Sequence, residues 1–201
     1  MIGIIDYGMG NLRSVQKALE LLDYQSIISD NYDELFVCNS LILPGVGAFP
    51  DAMDNLKKGK LDVLIKTFAE HGKPVLGICL GMQLLFDFGY EVKKCEGLGL
   101  IKGSILKLSD GVKIPHMGWN NIELQGECSI LKDIEQGSYV YFVHSYYAEL
   151  DKKENLNAWT QYGSKVPAVV SCKSVYGVQF HPEKSGSLGL RILKNFGELS
   201  K

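Results

Sequence analysis

A short apolar segment carries the residue type and spacing of a covalent hydrolase. In GICLG, residues 77–81, Cys79 stands between two glycines at the end of an apolar run. The same spacing with serine, G-x-S-x-G, forms the sharp strand-to-helix turn that exposes the nucleophile of many hydrolases. Such a turn places the thiol at the carboxyl edge of a sheet, where open α/β sheets bind ligands. The alternative is a buried cysteine that serves only as a small apolar side chain.

A cysteine nucleophile needs a base, and the chain has four histidines. His116 and His144 both remain candidates. His181 has a further feature, because Glu183 follows it by two residues, and an extended backbone turns both side chains to one face. The segment therefore favours an arrangement of Cys79, His181 and Glu183 in which the carboxylate orients the imidazole.

The third segment is LILPGVGAF, residues 41–49, a predicted strand that ends in glycine-rich residues 44–47. Backbone N–H groups at such a strand end can point at an anion. Together with the N–H after Cys79, they would stabilise a developing oxyanion. The three segments together indicate hydrolysis of an amide or ester through a covalent thioester.

Alternating apolar and helical patterns in the first half must position these segments. They predict strands at 2–6, 25–29, 40–45 and 73–78 and helices at 11–23, about 51–71 and 80–89. The second half has strand-like segments at 103–108, 120–124, 138–150, 157–163, 167–173 and 175–180, and a closing helix at 187–199. We therefore expect an α/β fold, with a mainly parallel open sheet flanked by helices and an antiparallel extension in the second half. A single domain over residues 1–201 accounts for the whole chain.

Composition narrows the function classes. Of 201 residues, 46% are hydrophobic and 22% charged, and the formal net charge of −2 lacks the basic footprint of a nucleic-acid binder. No apolar run approaches the length of a membrane span, and the N-terminus lacks the pattern of a signal peptide. The five scattered cysteines indicate reduced thiols in the cytoplasm, without a zinc site. In DYGMGNLR, Arg13 stands where a dinucleotide-binding motif has its third glycine, which argues against a nucleotide cofactor. We therefore expect neither a metal nor a cofactor.

The segments GICLGMQLLF and QFHPEKSG resemble the class I, triad-type glutamine amidotransferases, and the resemblance extends over essentially the whole chain. Within that family, DYGMGNLRSV, LPGVGAF, PHMGWN and YFVHSYY look like the glutaminase subunits that serve imidazole glycerol phosphate synthesis in histidine biosynthesis. The resemblance implies a flavodoxin-like fold and a catalytic triad of Cys79, His181 and Glu183. It also implies that glutamine is hydrolysed through a glutamyl thioester to glutamate and ammonia.

The resemblance assigns further site residues. It implies an oxyanion hole formed by the N–H groups of Val46, Gly47 and Leu80. It also implies that His144 and Tyr141 line the glutamine site rather than act as the base. The residues implied to hold glutamine are Gly45, Gln83, Ser145 and Tyr146.

The resemblance also implies a heterodimer with a cyclase subunit of the (β/α)₈-barrel type. The cyclase would use the ammonia to make imidazole glycerol phosphate and an aminoimidazole carboxamide ribotide. The glutaminase would be nearly silent until docking adjusts the loop at residues 44–47. The candidates for the docking face are Asn11, Arg13, Trp119, Asn120 and Lys184, although Trp119 could equally be a partly buried core residue.

Three other functions fit parts of the pattern. A paralogous glutaminase could feed ammonia to another synthase, such as one that amidates a cell-surface sugar. A stand-alone cysteine hydrolase of γ-glutamyl compounds would be active without a partner. A redox-sensing or scaffold protein would need Cys79 but would have no use for His181 or Glu183.

Overall fold

Strands and helices alternate through the first half of the chain, as the sequence pattern predicts. The computed structural model describes residues 1–109 and 111–200. Its first elements are β1 (Ile2–Ile5), α1 (Leu12–Glu20), β2 (Ser26–Ser29), α2 (Tyr32–Phe36), β3 (Ser40–Gly45), α3 (Phe49–Lys58), α4 (Leu61–Glu70), β4 (Val75–Cys79) and α5 (Leu80–Leu84).

The second half consists mainly of strands. They are β5 (Phe86–Gly89), β6 (Cys95–Glu96), β7 (Ile101–Lys107), β8 (His116–Leu124), β9 (Ser138–His144), β10 (Tyr146–Leu150), β11 (Leu156–Tyr162), β12 (Ser164–Cys172) and β13 (Val175–Val178), before the closing helix α6 (Gly186–Glu198). Three short 3₁₀ turns lie at Ser129–Leu131, Lys153–Asn155 and Pro182–Lys184.

A nine-stranded sheet in the order β2-β1-β3-β4-β13-β12-β11-β8-β9 forms the centre of the fold. Strands β2, β1, β3, β4 and β13 are parallel, whereas β12, β11, β8 and β9 continue the sheet through antiparallel pairs. The expected α/β fold with a parallel core and an antiparallel extension is therefore confirmed. A second sheet has the order β10-β7-β5-β6.

The sheet separates two apolar layers. On one face, side chains of α3 and α4, such as Phe49 and Phe68, pack with Phe86 and Ile105 of the smaller sheet. On the other face, α1 and α6 pack against the central strands. In the part of the chain that the structure describes, no helix combines the length and apolar character needed to cross a bilayer.

Three predicted elements are divided or shortened in the structure. The helix predicted at about 51–71 is divided into α3 and α4, because Gly59 ends the first and Lys60 adopts a left-handed conformation with φ 54°. The helix predicted at 80–89 ends at Leu84, since residues 86–89 pair with β7 as a strand. The strand-like segment at 138–150 is divided at Ser145, and its second part joins the smaller sheet.

Candidate active site

The turn at Cys79 has the geometry of a nucleophile elbow. Strand β4 ends at Cys79 and α5 begins at the next residue, and Cys79 has φ 55° and ψ −110°. A Cβ atom on Gly81 would overlap the backbone carbonyl oxygen of Leu43, and one on Gly77 would lie 2.6 Å from the carbonyl oxygen of Gly81. The two glycines are therefore required because α5 lies directly against β3 and β4, and this close packing presents Cys79 at the sheet edge.

The positive φ of Cys79 predicts an unusual response to substitution. A side chain in such a conformation costs about 1–3 kcal/mol, whereas glycine adopts it freely. We expect Cys79→Gly to be at least as stable as Cys79→Ala in urea unfolding. Cys38 is also buried, but its φ is not positive. At this position the free energy of unfolding should be lower for the glycine variant than for the alanine variant by about 1 kcal/mol. If glycine destabilised the protein relative to alanine by the same amount at both positions, Cys79 would not have a strained backbone.

His181 and Glu183 are paired beside this turn. His181 Nδ1 donates to Glu183 Oε1 at 2.9 Å, and the two side chains are only 4% and 1% exposed. The pairing arises differently from the expected extended spacing, because Pro182–Lys184 forms a 3₁₀ turn that folds the carboxylate back onto the imidazole. Ser185 fixes the segment, since its hydroxyl donates to the carbonyl of His181 at 2.7 Å.

The charge balance at His181 favours the imidazolium. Burial lowers its pKa, but hydrogen-bonding and charge interactions with Cys79 and Glu183 outweigh burial and raise the pKa to about 9. Nε2 of His181 has no hydrogen-bond partner among the described residues, although Cys79 is near enough to raise the pKa. The thiol instead points at the carbonyl of Val143, 3.7 Å away. His181 Nε2 is thus the free nitrogen that can exchange a proton with the sulfur or with a bound substrate.

A cleft of about 390 Å³ opens over the thiol. This volume lies within the usual range for small-molecule sites. Most of the candidate residues for catalysis and glutamine binding line it, namely Val46, Gly47, Cys79, Leu80, Gln83, Ser145, Tyr146 and His181, together with Lys184 from the docking set. Gly45 does not line the cleft but pairs with Cys79 across β3 and β4, and Glu183 lies behind His181.

Gln83 links two walls of the cleft. Its Nε2 donates to the carbonyl oxygen of Tyr146 and to Oε1 of Gln179, both at 3.0 Å. Gln179 Nε2 in turn lies 3.8 Å from Cys79 Sγ. Because both N–H bonds of the Gln83 amide are used, its Oε1 is the atom left to accept a hydrogen bond from a ligand.

The sequence reasoning missed several residues near the cleft. Glu91 is the one acidic residue among the described lining residues, and its Oε2 accepts from the backbone N–H of Phe49 at 2.7 Å. Tyr7 is buried near Gly45, and its hydroxyl has no hydrogen-bond partner among the described residues; burial, followed by Cys79, raises its pKa. Tyr7 and Gln179 belong to the segments DYGMGNLRSV and QFHPEKSG, but neither segment assigned them a role, and Glu91 lies outside the quoted segments. Only the folded chain shows that these three residues lie near the thiol.

The two other candidate bases contact each other. His116 Nδ1 and His144 Nε2 are 3.0 Å apart, and His144 Nδ1 is 2.8 Å from the carbonyl oxygen of Tyr146. Burial lowers the pKa of His116 to about 4 and that of His144 to about 3. His144 lines the cleft, but its ring nitrogens are engaged in this way, which leaves His181 as the candidate base.

The candidate docking residues lie on more than one surface. Trp119 is 57% exposed on β8 and contacts the ring of Tyr141 edge-on, so it is not a core residue. Asn120 points to the opposite face of the strand, where its amide contacts His116 and the carbonyl of Gln161. Asn11 and Arg13 follow the carboxyl end of β1, the same edge of the parallel strands at which Cys79 lies. Within the described residues, no cluster of side chains could hold a metal ion.

Comparison with known proteins defines the class of this chain. The family model for class-I glutamine amidotransferases matches residues 3–198. The chain therefore belongs to the class I glutamine amidotransferase family.

Two relatives are similar over nearly their full lengths. The imidazole glycerol phosphate synthase subunit HisH of Caldanaerobacter subterraneus subsp. tengcongensis is 54% identical over 201 residues, which covers 100% of this chain and 99% of that protein. HisH of Bacillus mycoides is 50% identical over 196 residues, which covers 98% of this chain and 93% of that protein. The resemblance to such subunits that the sequence segments indicated is confirmed.

Solved structures share the fold at lower identity. A crystal structure of a glutamine amidotransferase has a TM-score of 0.78 at 18% identity and covers 99% of this chain and 98% of its own. The structure of PurLQS from Thermotoga maritima has a TM-score of 0.77 at 22% identity and covers 100% of this chain and 98% of its own. Both agree with the expected amidotransferase fold.

Proposed function

We propose that this chain is the glutaminase subunit of an imidazole glycerol phosphate synthase, acting as a single domain in the cytoplasm. The observation that carries this assignment is 54% identity over the full length to a synthase subunit of that name. The cleft supports the glutaminase half, because a cysteine, a histidine and a carboxylate meet at the sheet edge. The five unpaired cysteines support a reducing compartment.

Glutamine is a zwitterion, and the cleft offers complementary groups for both of its charges. Gln83 Oε1 and the carboxylate of Glu91 suit the α-ammonium. The backbone at Ser145 and Tyr146 also lines the cleft and suits the α-carboxylate. Because Cys79 lines the same cleft, a glutamine held by these groups can present its side-chain amide to the sulfur.

The reaction needs one proton carrier and one oxyanion site. The sulfur of Cys79 attacks the amide carbon as a thiolate, while the proton that it has given up is held at Nε2 of the His181 imidazolium. His181 then protonates the departing nitrogen, which leaves as ammonia. Water next attacks the thioester and gives its proton to Nε2 of His181, so that glutamate is released and the sulfur leaves as the thiolate beside a restored imidazolium. Glu183 holds the imidazole in position throughout.

Two backbone segments are suited to hold the oxyanion. The N–H of Leu80 belongs to the first turn of α5, where backbone donors have no intrahelical acceptor. Val46 and Gly47 line the cleft directly after the carboxyl end of β3. We assign the oxyanion hole to these three N–H groups.

Ammonia released into water would be protonated, so an acceptor subunit must cover the cleft. We propose a (β/α)₈-barrel cyclase as that partner. Exposed apolar side chains on one face of β8 and β9, Met117, Trp119 and Tyr139, provide anchors for it. Asn11, Arg13 and the exposed Lys184 extend the docking face along the edge of the sheet.

The assignment is tested by glutamate release from glutamine. The purified chain is assayed alone and with a histidine-pathway cyclase subunit and its ribotide substrate. We expect a large rise only with the cyclase, and its loss in Cys79→Ser. Activation by a different synthase but not by this one would identify a paralogue, and full activity of the chain alone would identify a stand-alone hydrolase. Either result would overturn the assignment.

The raised pKa of His181 predicts the pH dependence of the same reaction. Protonated His181 is needed to release ammonia, so activity should be lost as pH rises through about 9. The stability that this proton contributes is likewise complete below the unfolded-state pKa of about 6.5 and is lost through about pH 9.

The variant Glu183→Gln tests the cause of this pKa. We expect kcat to fall by about 10²–10⁴-fold and the alkaline limb of the kcat/KM profile to move to lower pH. Glu149→Gln removes an exposed carboxylate on β10 and serves as the matched control. An alkaline limb that stays in place in Glu183→Gln would show that Glu183 does not support the imidazolium.

A further inference from the structure

A continuous chain of hydrogen bonds runs from strand β8 to the wall of the cleft. Asn120 Nδ2 lies 3.3 Å from His116 Nε2, His116 Nδ1 lies 3.0 Å from His144 Nε2, and His144 Nδ1 lies 2.8 Å from the carbonyl oxygen of Tyr146. Asn120 and His116 lie on one face of β8, opposite to Trp119, so this chain is separate from the exposed aromatic face. The mechanism above uses none of its three side chains.

The donor-to-acceptor direction of the hydrogen-bond chain is determined at its outer end, Asn120. Asn120 Oδ1 accepts from the backbone N–H of Asn121 at 2.9 Å, and Asn120 Nδ2 also donates to the carbonyl of Gln161 at 3.3 Å. An N–H can only donate and a carbonyl can only accept, so the amide orientation is fixed. Asn120 therefore presents a donor to His116, and Nε2 of His116 must be the acceptor.

The direction is determined independently at the inner end. The carbonyl of Tyr146 only accepts, so Nδ1 of His144 carries a proton. Burial lowers the pKa of both histidines far below 7, and both rings are therefore neutral. Nε2 of His144 then accepts from Nδ1 of His116. Both ends require the same tautomer, with the proton on Nδ1 in each ring.

Packing holds the first ring in this position. His116 is stacked between Phe142 and Tyr162, with ring centroids 4.6 Å and 3.9 Å away and interplanar angles of 20° and 19°. A ring enclosed on both faces cannot tilt or exchange its two nitrogens without displacing an aromatic neighbour. The orientation of His116 is thus fixed by packing as well as by hydrogen bonds.

The hydrogen-bond chain ends at the carbonyl of Tyr146, which also accepts a hydrogen bond from Gln83. Tyr146 O accepts from His144 Nδ1 and from Gln83 Nε2, so both of its lone pairs are used. Gln83 continues through Gln179 to the sulfur of Cys79. The carbonyl of Tyr146 therefore connects the hydrogen-bond chain from Asn120 with the contacts that lead through Gln83 to Cys79.

We propose that Asn120, His116 and His144 are positioning residues, whose single-direction hydrogen-bond chain holds the Tyr146 backbone and the Gln83 amide in the orientation that receives glutamine. The proposal rests on the proposed glutaminase function for the identity of the substrate. It assigns Asn120 to the substrate pocket through two histidines, rather than to the docking face.

The protonation pattern is measured directly by NMR on the full chain with ¹⁵N-labelled histidine at pH 7. We expect both His116 and His144 to be neutral with the proton on Nδ1. A proton on Nε2 of either ring in the unsubstituted chain would overturn the proposal.

The function of the hydrogen-bond chain is tested with Asn120→Asp, in which a carboxylate replaces the amide that donates to His116. We expect the proton of His116 to move from Nδ1 to Nε2 and that of His144 to follow, so that His144 no longer donates to the carbonyl of Tyr146. Labelling of Cys79 by a γ-glutamyl diazoketone in the cyclase-bound protein should then slow by about tenfold. Asn121→Asp is the matched control, because that amide donates to Glu123 rather than to a histidine. It should leave the tautomers unchanged and the labelling rate within about twofold. A changed His116 with unchanged labelling would overturn the positioning role.

A second pair of variants covers the case in which Asn120→Asp does not fold. His144→Asn keeps an N–H near the position of Nδ1, whereas His144→Leu removes it. We expect labelling of Cys79 to be slowed much more in the leucine variant, and equal rates would overturn the proposal. Failure of the unsubstituted, cyclase-bound protein to react with the glutamine analogue, with both tautomers as expected, would instead contradict the proposed function.

Discussion

Cys79→Ala is expected to lower partner-stimulated glutamine hydrolysis by about 10⁴-fold or more, because no other group can form the thioester. Within the described part of the chain, Cys79 is the one cysteine that lines the cleft. The variant should keep its fold, since alanine retains the Cβ atom in the elbow. The measurement is glutamate release under saturating glutamine and cyclase, with circular dichroism to verify folding.

Cys172→Ala provides the control for this loss. Cys172 lies half-buried on β12, away from the cleft lining, and its removal should leave the rate unchanged. Substantial hydrolysis by a folded Cys79→Ala protein would mean that water attacks glutamine directly. The covalent mechanism would then be wrong, even though the family assignment would remain.

Gly81→Ala is expected to lower the free energy of unfolding by about 3 kcal/mol or more. A helix ordinarily gains stability when alanine replaces glycine, so the expected sign is opposite to the helix propensity. The reason is that the new Cβ would overlap the carbonyl oxygen of Leu43, a backbone atom of the central sheet. Relief requires α5 to move away from β3, which also displaces Leu80 and Cys79. Urea unfolding gives the measurement.

Gly111→Ala is the matched control for this prediction. A Cβ on Gly111 meets no atom within 4 Å, and its φ lies outside the range that favours glycine. We expect its unfolding free energy to change by no more than about 0.5 kcal/mol. If Gly81→Ala unfolds at the same urea concentration as the unsubstituted chain, the tight packing of α5 on β3 is not a requirement of the elbow.

The chemistry of the site could be predicted from sequence because its key residues belong to short motifs. The spacing around Cys79 specified a turn between a strand and a helix, and the structure has that turn. The pairing of His181 and Glu183 was also expected, although a 3₁₀ turn rather than an extended backbone produces it. Two residues of spacing were enough to indicate contact, but not enough to define the backbone conformation.

The other site residues could not be predicted because tertiary contacts place them. Tyr7, Glu91 and Gln179 come from three separate segments that only the sheet topology brings to one edge. The limits of the helices were missed for a related reason. Residues 86–89 continue an apolar helical pattern, yet they pair with β7, a partner that the local sequence does not indicate. His116 and His144 illustrate the same limitation, since each was a plausible base until their mutual contact was visible.

The central claim is that Cys79 forms a glutamyl thioester that His181 helps to resolve. The most direct test is mass spectrometry of the cyclase-bound protein, quenched in acid during turnover of glutamine and digested to peptides. We expect the mass of one glutamyl group on the peptide that contains Cys79, with a larger fraction modified when Glu183→Gln slows hydrolysis. An unmodified Cys79 peptide during measured turnover in both proteins would contradict the account.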